Sequence, residues 1–127
     1  MRLGLSVAAD DRRFARALRR VRPAFDSLCQ EFEAIRLAHP IHEAVLVGVA
    51  NGLPDAAVRE VPNDDGFFQV LVGLGPADEV AGLPTAALAS RSYDRVRAAV
   101  LTCPFSAPDR DAVERLLSDW AARNLPR

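Results

Sequence analysis

The sequence predicts an α+β domain in which helices pack on one face of an antiparallel sheet of three to four strands. A long amphipathic segment follows a first apolar stretch, three apolar segments joined by short turns occupy the middle, and helical segments close the chain. The expected order is therefore β-α-β-β-β-α-α. All 127 residues are assigned to a single globular domain, because this length suits one core and no repeat or long linker interrupts it.

The first strand and the first helix are read from two different spacings of apolar residues. Three apolar residues alternate with small or polar ones, which predicts a strand: Leu3, Leu5 and Val7. From Phe14 to Ile35, apolar side chains recur at steps of four and three, which predicts a helix over residues 11–38 with one buried stripe. The stripe keeps its phase past Pro23, so we expect a kinked helix or two nearly collinear ones.

The middle of the chain predicts three strands, at residues 43–50, 57–61 and 67–74. The first is β-branched and of central character, while the second is weaker and is placed near an edge. Short turns rich in Asn, Asp, Gly and Pro separate them, which favours an antiparallel meander. The strand at the start of the chain is expected to join the same sheet.

Two helices are predicted in the last part of the chain. Residues 77–83 are given a short helical turn, and residues 85–101 a helix that Pro104 ends. The segment from Ser106 to Asp109 combines a hydroxyl, an early proline and an acid three residues after the serine. That combination is typical of a helix start, with the Ser106 hydroxyl as its cap.

Composition narrows the classes of function. Sixteen basic residues, all of them arginine, nearly balance seventeen acidic ones, and the net charge is −1. A chain with this balance has no overall field to attract nucleic acid or an anionic membrane, so neither is expected as a partner. No stretch reaches the ~18 apolar residues of a membrane span, and a cytoplasmic location is expected. Cys29 and Cys103 are interpreted as reduced structural thiols.

No motif predicts catalysis, a cofactor or a metal. His39 and His42 have the spacing of a ligand pair, but Pro40 prevents a regular helix there and only Glu43 could add a ligand. A chain without lysine cannot form a lysine-containing phosphate loop, and no serine lies in a nucleophile elbow. The chain is therefore predicted to be no enzyme and to hold neither metal nor cofactor.

Two charged surfaces are candidates for partner binding. One is the arginine-rich start of the long helix, on the face opposite its apolar stripe. This surface is interpreted either as a solvated helix face, which is favoured, or as a contact surface for a partner. The other is an acidic rim on loops beside the sheet. The candidate residues are Arg12, Arg16 and Arg19 on the helix, and Asp55, Asp64, Asp65, Asp78 and Glu79 on the rim.

The tail Cys-Pro-Phe-Ser-Ala-Pro-Asp-Arg-Asp-Ala-Val-Glu, which starts at Cys103 and runs on to Trp120, resembles the C-terminal segment of some small bacterial immunity proteins. These proteins guard a cell against its own or a sibling's polymorphic toxin. The resemblance covers about the last quarter of the chain and implies a small domain that blocks a cognate toxin by occlusion. It carries no toxin-contact residue that can be transferred to this sequence.

Two other functions remain open at this stage. One is a small structural or regulatory protein that works as a homo-oligomer through an exposed edge strand or apolar patch. The other is a ligand-binding domain or small enzyme with a pocket between helices and sheet. Its candidate polar groups are His42, Glu43, Asp65 and Tyr93.

Overall fold

The fold is taken from a computed structural model that describes residues 2–8, 12–38, 44–50, 58–61 and 68–126. The strands are β1 (Arg2–Ala8), β2 (Ala44–Ala50), β3 (Val58–Val61) and β4 (Phe68–Gly73). The helices are α1 (Arg12–Ala34), α2 (Ala77–Gly82), α3 (Thr85–Leu101) and α4 (Ala107–Asn124).

The sheet differs from the predicted one. Its order is β1-β2-β4-β3, and β1, β2 and β4 run parallel, with only the short edge strand β3 antiparallel to β4. The predicted antiparallel sheet is therefore wrong, and so is the meander, because β2 pairs with β1 and β4 on its two sides. The expected order of elements also lacked one helix: α2 is a separate helix, so four helices are described where the prediction counted three.

The course of β3 explains the error. Short turns favour antiparallel pairing between consecutive strands, and that holds for β3 with β4. Because β3 runs back along the sheet, β4 starts at the same end as β2 and can pair with it in parallel. The continuous apolar run of β2, Ala-Val-Leu-Val-Gly-Val-Ala, is typical of a strand inside a parallel sheet.

Helices α1 and α3 cover one face of the sheet. α1 contacts β1, α3 contacts β2, β3 and β4, and the two helices contact each other, so they lie side by side. The predicted stripe of α1 supplies much of this core: its residues from Phe14 to Phe32 are buried, while Ile35 is only partly so. α1 continues through Pro23 as one helix. α4 packs against α1 and α3.

The opposite face of the sheet holds small and partly exposed residues. Leu46 and Leu71 are both partly exposed there. The Leu46 side chain leans over β1 so closely that a Cβ at Gly4 would lie 2.8 Å from its Cδ2 atom. Gly4 therefore leaves the space that Leu46 needs.

The start of α4 does not use the predicted serine cap. Ser106 occupies the N-cap position, but its hydroxyl makes no cap hydrogen bond and is buried without a partner in the described part of the chain. Asp109, which is buried, instead accepts a hydrogen bond of 2.6 Å from the backbone N–H of Ala38. The carboxylate thus joins the start of α4 to the segment that follows α1.

Candidate binding surface

The first half of α1 is a strongly basic surface, here called the basic half (residues 12–22). It holds six arginines and no acidic residue, and all six are exposed. Phe14, Ala17, Leu18 and Val21 anchor it to the core. At 3.6 residues per turn, three of the arginines lie directly opposite that buried stripe. These are Arg12, Arg16 and Arg19.

The second half of α1 is acidic and is called the acidic half (residues 23–34). Asp26, Glu31 and Glu33 are its charged residues, and it contains no base. A helix has a positive N-terminal end and a negative C-terminal end, so acids stabilise its start and bases its end. α1 has no acid in its first turn and no base in its last turn. Its charges therefore oppose the helix dipole at both ends.

The acidic half is compensated by α4. Arg123 forms an ion pair with Glu31, and the indole N–H of Trp120 donates to the Ser27 hydroxyl at 3.4 Å. The Trp120 ring stacks on Phe25 and on Tyr93, with ring centroids 5.8 Å and 5.6 Å apart. Charge and packing therefore join this half of α1 to the rest of the fold.

Among the described residues, α2 and the residue that follows it compensate the basic half along one side. Arg13 forms an ion pair with Asp78, and the Arg20 guanidinium donates to the backbone carbonyl of Leu83 at 3.2 Å. The structure shows no ion pair or side-chain hydrogen bond from Arg12, Arg16 or Arg19 to any other described residue. Most of the positive charge of this half therefore faces solvent.

A groove of about 260 Å³ lies between α1 and α2 within the basic half. Arg13, Arg16 and Arg20 line it, and Ala17 and Ala81 supply its apolar surface. We call it the arginine groove. A second, more open groove of about 380 Å³ lies between α1 and α4 and has mixed charge. Its lining residues are Glu31, Ala34, Ile35, Ala112, Arg115, Leu116 and Asp119.

The structure brings together some of the sequence-predicted site residues. Asp78 of the predicted acidic rim lies against the basic half rather than on a separate surface, through its ion pair with Arg13. Glu79 binds Arg91 at 3.0 Å, and Arg91 also donates to the Leu74 carbonyl at 3.2 Å. The other rim residues lie outside the described residues: Asp55, Asp64 and Asp65.

Two of the three arginines of the groove, Arg13 and Arg20, belong to the predicted basic face of the helix but were not among its candidate binding residues. Arg13 and Arg20 are seven residues apart, and Arg16 lies between them. That spacing places all three along one side of a helix, which was the available signal. What the sequence could not supply was the position of α2, whose Asp78 and Leu83 bind the outer two arginines.

The candidates for a ligand pocket receive no support from the described residues. Tyr93 is buried, and its hydroxyl donates to the Leu117 carbonyl at 2.8 Å. Its desolvation raises the pKa of the phenol. The tyrosine therefore joins α3 to α4 within the core, while His42, Glu43 and Asp65 lie outside the described residues.

The two cysteines are weakly acidic thiols. Burial raises the pKa of Cys103 to about 12, with a smaller contribution from the negative charge of Glu60. Partial burial also raises the pKa of Cys29, and the nearby carboxylates of Asp26 and Glu33 raise it further, whereas Arg22 lowers it. Neither environment favours the reactive thiolate.

Within the described ranges, no three His, Cys, Asp or Glu side chains are grouped as metal ligands would be. Among the same residues, no helix has the length and apolar character needed to cross a bilayer. Comparisons of the chain with models of protein families, with curated proteins and with solved structures gave no match.

Proposed function

We propose that this protein is a binding module that neutralises a cognate bacterial toxin, and that the basic half of α1 contacts an acidic surface of that toxin. The placement of charge on α1 carries the proposal. Arginines at the start of a helix lower its stability, since they oppose the dipole and repel one another at spacings of three and four. The intrinsic stability of the helix therefore does not account for this surface, whereas binding to an acidic partner does.

Neutralisation would proceed by occlusion. Exposed guanidinium groups attract an acidic surface over a distance of about one Debye length, which accelerates the encounter and orients it. Once docked, the planar guanidinium forks bind carboxylates with two parallel hydrogen bonds. The body of the domain then covers the toxin surface and keeps substrate away. A cytoplasmic location belongs to this proposal, because an immunity protein must meet its toxin inside the cell that it protects.

The partner is found by isolating the tagged chain from its native cell and identifying any stoichiometric companion by mass spectrometry. That companion is then expressed alone and together with this chain. We expect it to be toxic alone and harmless when co-expressed. A companion that is harmless alone, or that stays toxic when co-expressed, contradicts the proposed function.

The surface is tested with two charge-matched double variants. R12E/R19E reverses two arginines of the basic half, and R36E/R115E reverses two exposed arginines elsewhere. We expect R12E/R19E to weaken binding at least about thirty-fold, because like charges then face each other, and R36E/R115E to change it less than about three-fold. Equal losses from both variants would show that only net charge matters.

A homo-oligomeric protein is the second candidate, and the sheet supplies the observation in its favour. Sheets of parallel strands are usually covered on both faces, yet Leu46 and Leu71 are partly exposed on the face opposite α1 and α3. A second copy stacked on this face would cover them. The molar mass in solution distinguishes the two candidates: a stable dimer that L46E/L71E converts to a monomer supports the oligomer, and a monomer at all concentrations excludes it.

A further inference from the structure

We propose that the arginine groove is a carboxylate-binding site, in which Arg16 clamps an aspartate or glutamate side chain from the partner. This inference rests on the proposed function and adds to it the chemical class of the group that is bound and the residue that binds it.

The outer two arginines of the groove are held in place from within the fold. Arg13 is bound at the start of α2 by Asp78, and Arg20 at its end by the carbonyl of Leu83. These contacts join α1 to the two ends of α2. Two of the groove's three guanidinium groups thus have partners within the fold before any ligand arrives, which reduces the entropy that binding must offset.

Arg16 differs from its two neighbours. It lines the same groove between them, is exposed, and shows no ion pair or side-chain hydrogen bond to another described residue. Its guanidinium presents a planar fork of N–H donors that matches the two oxygens of a carboxylate. The positive charge of Arg20, whose guanidinium donates to a neutral carbonyl, strengthens the attraction for an anion at this position.

The surroundings favour a singly charged carboxylate over a doubly charged phosphate. Asp78 lies beside the groove through its ion pair with Arg13, so its carboxylate repels a dianion more strongly than a monoanion. Ala17 and Ala81 offer apolar surface that suits the methylene groups of an acidic side chain. Asp78 is itself a carboxylate, and it already binds Arg13, a neighbouring arginine of the groove.

The test uses the full-length chain and two probes, a hexaglutamate peptide and inorganic phosphate, at constant ionic strength. Binding is followed by NMR through the side-chain Nε–H signals of the arginines. We expect hexaglutamate to shift the Arg16 signal most and the Arg12 signal least. Phosphate that binds more tightly than the peptide would overturn the assignment to a carboxylate, and so would a peptide that leaves the Arg16 signal unchanged.

A matched pair of variants separates a specific clamp from diffuse attraction. R16Q and R36Q each remove one exposed charge, but only Arg16 lines the groove, and Arg36 lies outside the basic half. We expect R16Q to weaken hexaglutamate binding at least about five-fold and R36Q less than about two-fold. A third variant, A81L, fills the groove without changing charge and should also weaken binding. Equal effects of R16Q and R36Q would overturn the proposal.

Failure of the clamp can be told from failure of the proposed function. If the partner binds through the basic half but not through the groove, R12E/R19E abolishes neutralisation while R16Q and R36Q remain alike. If the proposed function itself is wrong, R12E/R19E leaves the activity of the chain toward its companion protein unchanged. Circular dichroism of every variant confirms that the loss is not one of folding.

Discussion

The two halves of α1 carry opposite charges, and the fold treats them differently. In the acidic half, Glu31 is paired with Arg123 of α4, and the neighbouring Ser27 accepts from Trp120. In the basic half, α2 binds the two arginines on one side, while Arg12, Arg16 and Arg19 face solvent without such contacts to described residues. One half is completed within the molecule, and the other leaves its charge available to a partner.

If the proposed function is right, this difference separates charges that stabilise the fold from charges that bind a partner, on a single helix. Substitutions of the residues that join the acidic half to α4 should lower the stability of the domain. Substitutions of the outward arginines should spare or even raise stability while they reduce binding. The following predictions test that separation.

The largest effect is expected at Trp120, which joins α4 to the acidic half. Its side chain is fully buried and stacks on Phe25 and Tyr93. W120A should lower the free energy of unfolding by about 3–5 kcal/mol, because it removes buried contacts and leaves a cavity. Urea unfolding followed by circular dichroism measures this loss. R19A on the basic half is the control, and a change above about 1 kcal/mol there would contradict the separation.

A smaller effect is expected from the ion pair between α4 and α1. R123A removes the partner of Glu31, whose Oε2 atom is buried with no hydrogen-bond partner among the described residues. Because the pair is partly exposed, we expect a loss of about 1 kcal/mol or less. R115A, an exposed arginine on the same helix, should change stability by less than about 0.5 kcal/mol. The two variants are compared in the same urea series, and equal losses would show that the pair contributes nothing.

Charge reversals at the ends of α1 should raise stability. R12E places an acid at the start of the helix, and E33R places a base near its end, so each brings the local charge into line with the dipole. We expect gains of about 0.5 kcal/mol at low salt, which decrease in 0.5 M salt because exposed charges are screened. Thermal unfolding at the two salt concentrations tests this. A loss from either reversal would mean that the native charge does stabilise the helix.

The smallest effect concerns Cys29, because charges from both halves of α1 act on the pKa of its thiol. Partial burial raises the pKa of its thiol, the carboxylates of Asp26 and Glu33 raise it further, and Arg22 lowers it. A higher pKa means less thiolate at pH 8 and slower alkylation. E33Q should therefore speed alkylation roughly two-fold, and R22Q should slow it by a similar factor.

Labelling followed by mass spectrometry measures this rate at each cysteine. Cys103 is the internal control, because burial raises the pKa of its thiol to about 12 and should prevent labelling in the folded state under all these conditions. Shifts of the same sign in E33Q and R22Q would contradict the assignment of charges around Cys29.

The helices were predictable from the sequence because their signals are local. The stripe from Phe14 to Phe32 gave α1 its position and buried face, and residues 85–101 form the predicted helix α3. Pairing in the sheet was not predictable in the same way, since it depends on strands far apart in the chain. β2 lies between β1 and β4, and no local turn signal shows this. The edge position of β3 was predicted from its weaker strand character, and it is confirmed.

The candidate site was predictable in part for the same reason. The arginines and their common face follow from spacing along one helix, so Arg12, Arg16 and Arg19 were identified. Which arginines are bound within the fold depends on the position of α2. Arg20 and Leu83, which join α1 to the end of α2, are 63 residues apart in the chain. Ser106 makes no cap hydrogen bond, and the carboxylate of Asp109 instead accepts from Ala38, 71 residues earlier, a contact that spacing alone cannot show.

The contacts between α4 and the acidic half can form only after α4 has been synthesised, long after α1. Arg123 is 92 residues from Glu31, and Trp120 is 93 residues from Ser27. At about 5–20 residues per second, the ribosome adds these partners roughly 5–20 s after the helix that needs them. Until then Phe25 lacks the ring that covers it. The nascent chain is therefore most exposed to aggregation and proteolysis before its last helix emerges.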